Sequence, residues 1–163
     1  MGQEIERKFL VKGTFPMSDA AKITQGYLAT DPHVVRVRAV SNRGGFLTIK
    51  STTNGITRSE WEYPIPLGDA KEMLKLCPRK VEKTRYTSMY GPHTWEVDVF
   101  QGDNAGLIIA EVELSHPDES FLLPPWVGED VSLDPRYLNS NLLTFPFQKW
   151  KDTIPSGNWT VEP

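Results

Sequence analysis

Carboxylates and a basic side chain alternate along the first strand-like segment, residues 4–11. Glu4, Glu6 and Lys8 are spaced two residues apart, and residues with this spacing point to the same face of a β-strand. Ile5 and Phe9 would then lie on the other face. Two carboxylates and an ammonium on one face are groups that can bind a cation and an anion side by side. A half-exposed antiparallel strand gives the same alternation, so one strand does not decide between the two interpretations.

The same alternation returns on most of the later strand-like segments, with the charged residues of each segment in one phase. Many of them are like-sign neighbours, such as Arg36 with Arg38. Neighbours of this kind are about 6.6 Å apart along a strand. A like-charged pair at this distance repels by about 2.5 kcal/mol at an effective dielectric constant of about 20. Repeated like pairs therefore indicate a ligand that neutralises the field. The later charged residues are Arg36, Arg38, Lys50, Arg58, Glu60, Glu62, Lys83, Arg85, Glu96, Asp98, Glu111 and Glu113.

Two arrangements of such strands fit this pattern. In the first, the charges cover the outside of a sandwich or barrel that has an apolar interior. In the second, apolar helical faces such as that of Leu67, Ala70 and Leu74 cover a barrel from outside, and the charges line a water-filled lumen. Segregated acids and bases in a lumen would suit a divalent cation and a polyanion. Mg²⁺ binds carboxylate and phosphate oxygens, and Arg and Lys bind phosphate.

Turn residues divide the chain into about eight strand-like segments. Asn54-Gly55 predicts a hairpin with a type I′ turn, in which both residues have positive φ. A short helix is predicted near Ser18, a longer helix over residues 66–76, and short helical pieces after residue 116. Closing such a sheet into a barrel removes its edges. We therefore predict a mainly β (α+β) fold, an eight-stranded antiparallel closed tunnel barrel with flanking helices.

The composition limits the possible classes of protein. With 163 residues, 39% hydrophobic and 24% charged, the chain is typical of one globular domain. We place this domain at residues 1–150 and a C-terminal tail at residues 151–163. The net charge of -3 argues against a nucleic-acid partner, and no stretch approaches the roughly 20 apolar residues of a membrane helix. The single cysteine, Cys77, is expected to be buried. We expect a cytoplasmic protein that is either a monomer or a homodimer.

The order of the charged motifs resembles that of the CYTH domain, the family of triphosphate tunnel metalloenzymes. The resemblance begins with Glu4-x-Glu6-x-Lys8 and extends from residue 3 to about residue 145. The later motifs are Gln25-Gly26-Tyr27-Leu28, Arg36-x-Arg38, Leu47-Thr48-Ile49-Lys50, Arg58-x-Glu60-x-Glu62, Lys83-x-Arg85, Trp95-Glu96-Val97-Asp98-Val99-Phe100 and Ala110-Glu111-Val112-Glu113-Leu114. The resemblance implies a tunnel that binds a triphosphate and a divalent metal, Mg²⁺ or Mn²⁺.

The resemblance also implies a role for each matching residue. The implied phosphate-binding residues are Lys8, Arg36, Arg38, Lys50, Lys83 and Arg85. The implied metal ligands are Glu4, Glu6, Glu60, Glu62, Glu111 and Glu113. Lys8, Glu4 and Glu6 are the candidate catalytic residues. Tyr27, Arg58, Glu96 and Asp98 are further candidates for the tunnel wall.

Members of this family act on inorganic tripolyphosphate, thiamine triphosphate or RNA 5′-triphosphate ends, or cyclise ATP to cyclic AMP. Hydrolysis needs only that the phosphates be held. Cyclisation also needs a pocket for adenine and a ribose 3′-hydroxyl aimed at the α-phosphate. We therefore predict a metal-dependent hydrolase of inorganic tripolyphosphate or a nucleoside triphosphate. An adenylate cyclase is the first alternative, and a non-catalytic binder of polyphosphate or nucleotide is the second.

Overall fold

The computed structural model describes residues 2–153. Of the predicted C-terminal tail, residues 154–163 lie outside the described residues. The strands are β1 (Glu4–Val11), β2 (Ala21–Ala29), β3 (Val34–Val40), β4 (Gly44–Lys50), β5 (Thr57–Arg58), β6 (Glu60–Ile65), β7 (Lys80–Tyr90), β8 (His93–Phe100), β9 (Ile108–Glu113) and β10 (Val127–Asp130). The α-helices are α1 (Leu67–Lys75) and α2 (Asn139–Leu142). Short 3-10 helices cover Gly102–Asn104, Pro135–Tyr137, Phe147–Lys149 and Lys151–Thr153.

The strands form one antiparallel arrangement around a central space. Neighbours follow the order β10-β1-β9-β8-β7-β2-β3-β4-β6. β6 pairs with β4, while β5, which only Ser59 separates from β6, pairs with β1 through Arg58 opposite Glu4. The strand path therefore returns to β1, with β5 and β6 together acting as its eighth segment. This confirms the predicted mainly β fold and its eight-segment tunnel.

The apolar phase of the strands faces outward, and α1 covers part of it. Ala70 and Leu74 of α1 pack with Val37 and Cys77 in one buried cluster. The approach is close, because a Cβ atom added at Gly45 would lie 2.6 Å from the Cβ of Ala70. The predicted helix and the burial of Cys77 are confirmed.

A second apolar cluster covers the outer face of β1, β8 and β9. Its buried members include Phe9, Trp95 and Trp126. The ring centroids of Trp95 and Trp126 are 5.8 Å apart. Trp126 directly precedes β10. This strand pairs with the C-terminal part of β1, whereas β5 pairs with its N-terminal part. The sequence analysis did not predict β10.

Two local predictions are wrong. Residues 12–20 contain no helix, because Phe15 packs against Tyr86 and Trp126 and the amide of Thr87 bonds to the carbonyl of Ser18. These contacts hold the segment against the barrel. The turn at Asn54-Gly55 is not type I′, because Gly55 has a φ of 66° and Asn54 has no positive φ. The loop instead has glycine at its first central position, as in a type II′ turn.

The inward phase is charged at its centre and apolar at one end. Leu10, Val81, Phe100 and Ile109 share the phase of the charged residues on their strands and pack together in a buried cluster. Tyr137, Leu142, Phe147 and Trp150 complete this cluster. The segment from residue 135 to residue 150 therefore fills one end of the tunnel. No helix among residues 2–153 is long and apolar enough to cross a bilayer.

Candidate functional site

A cavity of about 200 Å³ lies inside the ring of strands. Of the two arrangements that the sequence left open, the structure has the one with the charges inside. Every predicted site residue except Asp98 lines this cavity. These are Glu4, Glu6, Lys8, Tyr27, Arg36, Arg38, Lys50, Arg58, Glu60, Glu62, Lys83, Arg85, Glu96, Glu111 and Glu113.

Positive charge is concentrated on β7, β3 and β4. Burial, with the neighbouring Arg36 and Arg85, lowers the pKa of Arg38 to about 9. Burial and the proximity of Arg36 likewise lower the pKa of Lys50. The Nε atom of Arg36 is buried and has no hydrogen-bond partner among the described residues. This part of the wall therefore has more positive charge than its own carboxylates neutralise, as an anion-binding site requires.

Negative charge is concentrated on β1, β9 and β8. Glu113 lies directly opposite Glu6, and Glu111 lies directly opposite Glu96. Burial raises the pKa of Glu113 to about 7, and the carboxylates of Glu4, Glu60, Glu6 and Glu96 contribute to this rise in that order. Glu113 makes no ion pair among residues 2–153. A group of facing carboxylates is the donor set that suits a hard divalent cation.

Most of the other carboxylates are bound to basic residues of the same wall. Glu4 lies 3.2 Å from Lys50 and 3.1 Å from Arg58. Burial opposes ionisation of Glu4, but Lys50, Arg58 and Lys8 together lower its pKa to about 2. Glu60 lies 3.3 Å from Lys50. Within residues 2–153, no three Asp, Glu, His or Cys side chains already converge as a metal-binding group.

The six predicted metal ligands therefore occupy two electrostatic environments. Glu4, Glu6 and Glu60 act on Glu113 and form one acidic group with it. Like Glu4, Glu6 and Glu60, the other two ligands also pair with basic residues. Glu62 lies 3.2 Å from Arg36, and Glu111 lies 2.5 Å from Lys8 and 3.4 Å from Arg85.

Lys8 is the cation within the acidic group. Its Nζ lies 2.9 Å from Glu6 and 2.5 Å from Glu111. Burial works against the charge on Lys8, but Glu111 and Glu6 outweigh it and raise the pKa of Lys8. Lys8 therefore keeps its proton at neutral pH and can donate hydrogen bonds to a bound oxyanion.

Asp98 shares the inward phase of Glu96 on β8 but is buried and does not line the cavity. Its side chain is 1% exposed, and it lies 2.7 Å from both Lys83 and Arg85. Burial would raise the pKa of Asp98, but Arg85 and Lys83 hold it well below its usual range. The place of Asp98 corrects the expectation that it belongs to the tunnel wall. It fixes two basic residues that do line the cavity.

Three polar residues of the site were not assigned from the sequence. Gln25 is fully buried, and its Oε1 accepts a hydrogen bond of 2.9 Å from Arg38. Thr48 bonds with Arg36 and Glu62. Gln25 shares the phase of Tyr27 on β2, and Thr48 shares the phase of Lys50 on β4. This shared phase was the signal in the sequence by which they could have been found. Asn139 also lines the cavity, and no sequence pattern connects it to the strands.

Comparisons with known proteins agree with this geometry. The family model of the CYTH domain matches residues 2–141. A protein from Acetivibrio thermocellus named inorganic triphosphatase is 48% identical over 157 residues, which are 93% of this chain and 100% of that protein. A protein from Nitrosomonas europaea, also named inorganic triphosphatase, is 40% identical over 150 residues. These are 85% of this chain and 95% of that protein.

A solved structure of an inorganic triphosphatase has a TM-score of 0.62 and 36% sequence identity to this chain. The similarity covers 86% of this chain and 97% of that one. The family match extends over nearly all of the described residues, including every strand of the tunnel. The chain belongs to the CYTH domain family.

Proposed function

We propose that the protein is a divalent-metal-dependent triphosphatase, with inorganic tripolyphosphate as its first candidate substrate and a nucleoside triphosphate as its second. The observation that carries the proposal is the separation of charge in one cavity, where the basic wall around Arg38 meets the acidic group around Glu113. Such a cavity suits a polyanion together with a cation. The two relatives named inorganic triphosphatase support hydrolysis as the reaction.

On this proposal, the basic wall holds the phosphate chain. Arg36 and Arg38 supply guanidinium forks for phosphate oxygens, and Lys50 supplies a point charge. Lys83 and Arg85 belong to the same wall and are held in place by Asp98. Because these groups are buried and hydrogen-bonded before substrate arrives, little reorganisation is needed when phosphate binds.

The acidic group fits a divalent cation because Glu113 faces Glu6 and makes no ion pair among residues 2–153, so the neighbouring carboxylates help to raise its pKa. Glu4, Glu6, Glu60 and Glu113 would hold the ion, with Glu62 and Glu111 as further ligands. Oxygen ligands of this kind suit Mg²⁺ or Mn²⁺. When bound, such an ion neutralises charge on the phosphoryl oxygens and lowers the pKa of bound water.

The proposed catalytic residues then act through charge and position. Lys8 keeps its proton and stabilises the negative charge that develops on the phosphoryl oxygens, the main contribution of proteins to phosphoryl transfer. Glu6 and Glu111 fix the ammonium of Lys8. Glu4 stays ionised and orients Lys50 and Arg58.

The test supplies purified protein with tripolyphosphate or ATP and with Mg²⁺ or Mn²⁺, and separates the products by ion chromatography. We expect orthophosphate and pyrophosphate from tripolyphosphate, and little product in EDTA. Replacing Arg38 with Ala should abolish most turnover, whereas replacing the exposed Lys22 of β2 with Ala should not. Cyclic AMP as the main product from ATP would favour the cyclase alternative. Tight binding without turnover under either metal would favour the non-catalytic one.

The partner implied by this proposal is a small-molecule triphosphate. The absence of a nucleic-acid partner, the cytoplasmic location and the choice between monomer and homodimer stay predictions.

A further inference from the structure

Asn139 is the point at which the C-terminal segment enters the functional cavity. It begins α2, and it lines the cavity together with its neighbours Leu138 and Ser140. Among residues 2–153, all the other residues that line the cavity belong to the strands of the tunnel. Asn139 therefore supplies a polar side chain from a part of the sequence that carries none of the charged motifs.

The side-chain carbonyl of Asn139 accepts two hydrogen bonds. Its Oδ1 lies 2.8 Å from the Nζ of Lys83 and 3.1 Å from the Nε2 of Gln25. Gln25 in turn accepts a hydrogen bond from Arg38 at 2.9 Å. Asn139 is thus connected to two of the basic residues to which we assign phosphate binding.

These two donors fix the orientation of the amide. The guanidinium of Arg38 has no acceptor, so the Gln25 atom that faces it is the oxygen, and the NH₂ of Gln25 then faces Asn139. The Asn139 atom that accepts from this NH₂ is therefore the oxygen. The amide NH₂ of Asn139 is therefore on the other side, and no hydrogen bond connects it to any of residues 2–153. A side chain that lines a cavity and has an unused NH₂ group can donate a hydrogen bond to a bound ligand.

The backbone on both sides of Asn139 is held in place. Tyr137 and Leu142 are each 1% exposed and pack into the apolar cluster at this end of the tunnel. Tyr137 also contacts Trp150, with ring centroids 5.1 Å apart. This packing positions Asn139 before any ligand binds, which limits the entropy lost when a hydrogen bond to the ligand forms.

We propose that Asn139 is a further substrate-binding residue, whose NH₂ donates to a phosphate oxygen at the end of the tunnel that the C-terminal segment fills. Its Oδ1 at the same time positions Lys83 and Gln25. This inference rests on the proposed function, because it takes a linear phosphate chain as the ligand. It assigns to the C-terminal segment a part in recognising the substrate in addition to closing the fold.

The decisive variant is Asn139→Asp. Aspartate keeps an oxygen for Lys83 and Gln25 but replaces the NH₂ donor with a second, negatively charged oxygen. We expect the KM for tripolyphosphate to rise about tenfold to a hundredfold, the effect of losing one hydrogen bond to a charged group. The value of kcat should change less. Asn139→Ala should raise the KM in the same way. It also removes the oxygen that positions Lys83, so Lys83 should contribute less to substrate binding in this variant.

The matched control is Asn141→Ala in the same short helix. Asn141 is exposed, and its Nδ2 donates to the carbonyl of Pro135 at 2.7 Å. This variant disturbs the segment without touching the cavity, so its KM should match that of the wild type. Thermal unfolding of each variant monitors folding, and Asn139→Asp carries the test if Asn139→Ala does not fold.

Isothermal titration with tripolyphosphate in EDTA separates this inference from the proposed function. Weaker binding to Asn139→Asp than to the wild type supports the inference even if the wild type shows no hydrolysis. Hydrolysis by the wild type with equal binding and equal KM in Asn139→Asp would overturn the inference and leave the triphosphatase proposal standing. The same KM rise in Asn141→Ala would also overturn it, because the effect would then come from the segment as a whole.

Discussion

Glu6 of β1 and Glu113 of β9 lie directly opposite each other on paired antiparallel strands, and both line the same cavity. Like charges in this position destabilise a sheet. Burial and the surrounding carboxylates raise the pKa of Glu113 to about 7. Lys8 pairs with Glu6, but no basic residue among residues 2–153 pairs with Glu113. A divalent cation held by these carboxylates would relieve the remaining repulsion. We infer that this part of the tunnel is built for an ion.

The first prediction concerns the variant Glu113→Gln. Removing one of the facing carboxylates should relieve repulsion, so the melting temperature in EDTA should rise by about 2–4 °C. The Mg²⁺ or Mn²⁺ concentration needed for half-maximal activity should rise on the order of tenfold. The exposed Glu72 of α1 provides the matched control, since Glu72→Gln should change neither quantity. A lower melting temperature in EDTA with unchanged metal dependence would contradict the proposed ion site.

The second prediction concerns Asp98, the buried carboxylate that pairs with Lys83 and Arg85. Asp98→Asn should lower the free energy of unfolding by about 3–5 kcal/mol, because it leaves buried cations without a partner. The control Asp19→Asn breaks an exposed pair with Arg43 and should cost less than about 1 kcal/mol. Urea unfolding measures both variants.

The difference in the free energy of unfolding between the wild type and Asp98→Asn should depend on pH in a definite direction. The folded pKa of Asp98 lies well below its usual range, so its contribution is fully present above the unfolded value of about 3.9. It is lost as the pH falls from there towards the folded value. The stability difference between the wild type and Asp98→Asn should therefore not shrink between neutral pH and about pH 5. A difference that already shrinks near neutral pH would show that Asp98 is not held ionised by its two partners.

The third prediction concerns Lys83. Burial lowers its pKa to about 7; Arg85 and Arg38 add to this effect, while Asp98 and Glu111 oppose it. Lys83 therefore loses its proton as the pH rises through neutrality, and a bound polyanion should favour its charged form. The ratio of tripolyphosphate affinities between the wild type and Lys83→Met should fall about threefold to tenfold from about pH 6 to about pH 8.5.

Taking the ratio removes the titration of tripolyphosphate itself, which affects both proteins equally. Lys22→Met, on the same sheet but exposed, is the control and should follow the wild type at every pH. Calorimetric titration in EDTA provides the affinities. A ratio that does not change with pH would mean that Lys83 keeps its proton throughout this range.

The fourth prediction concerns the C-terminal segment. Trp150 is 2% exposed and packs against Tyr137 and Phe147. Trp150→Ala should cost about 3–5 kcal/mol, as expected for a buried aromatic residue. It should also raise the KM for tripolyphosphate, because the same packing positions Asn139. Trp61→Ala, at a site that is 40% exposed on β6, should change both quantities little. Equal losses of stability in the two variants would show that the C-terminal cluster contributes no more than a surface aromatic.

The alternation of charged and apolar residues predicted the strands closely, because the side-chain period of a strand is two and each tunnel strand has one wet face and one dry face. Glu4, Arg36 and Glu111 were placed in the correct phase for this reason. The short helix near Ser18 and the turn type at Asn54 were wrong. Tertiary contacts of Phe15 keep the segment near Ser18 from forming a helix. The turn type differs because Gly55 occupies the first position of the two-residue loop.

The sequence by itself determined the strand segments, the phase of their charges and the resemblance to the family, since these depend on local spacing alone. Only the tertiary structure decided which phase faces inward, how acidic and basic residues are divided around the cavity, and that Asp98 is buried and does not line it. It also brought Asn139 within 2.8 Å of Lys83, although 56 positions separate them in the chain. Such contacts depend on how strands and the C-terminal segment pack, and no periodic pattern in a sequence encodes that packing.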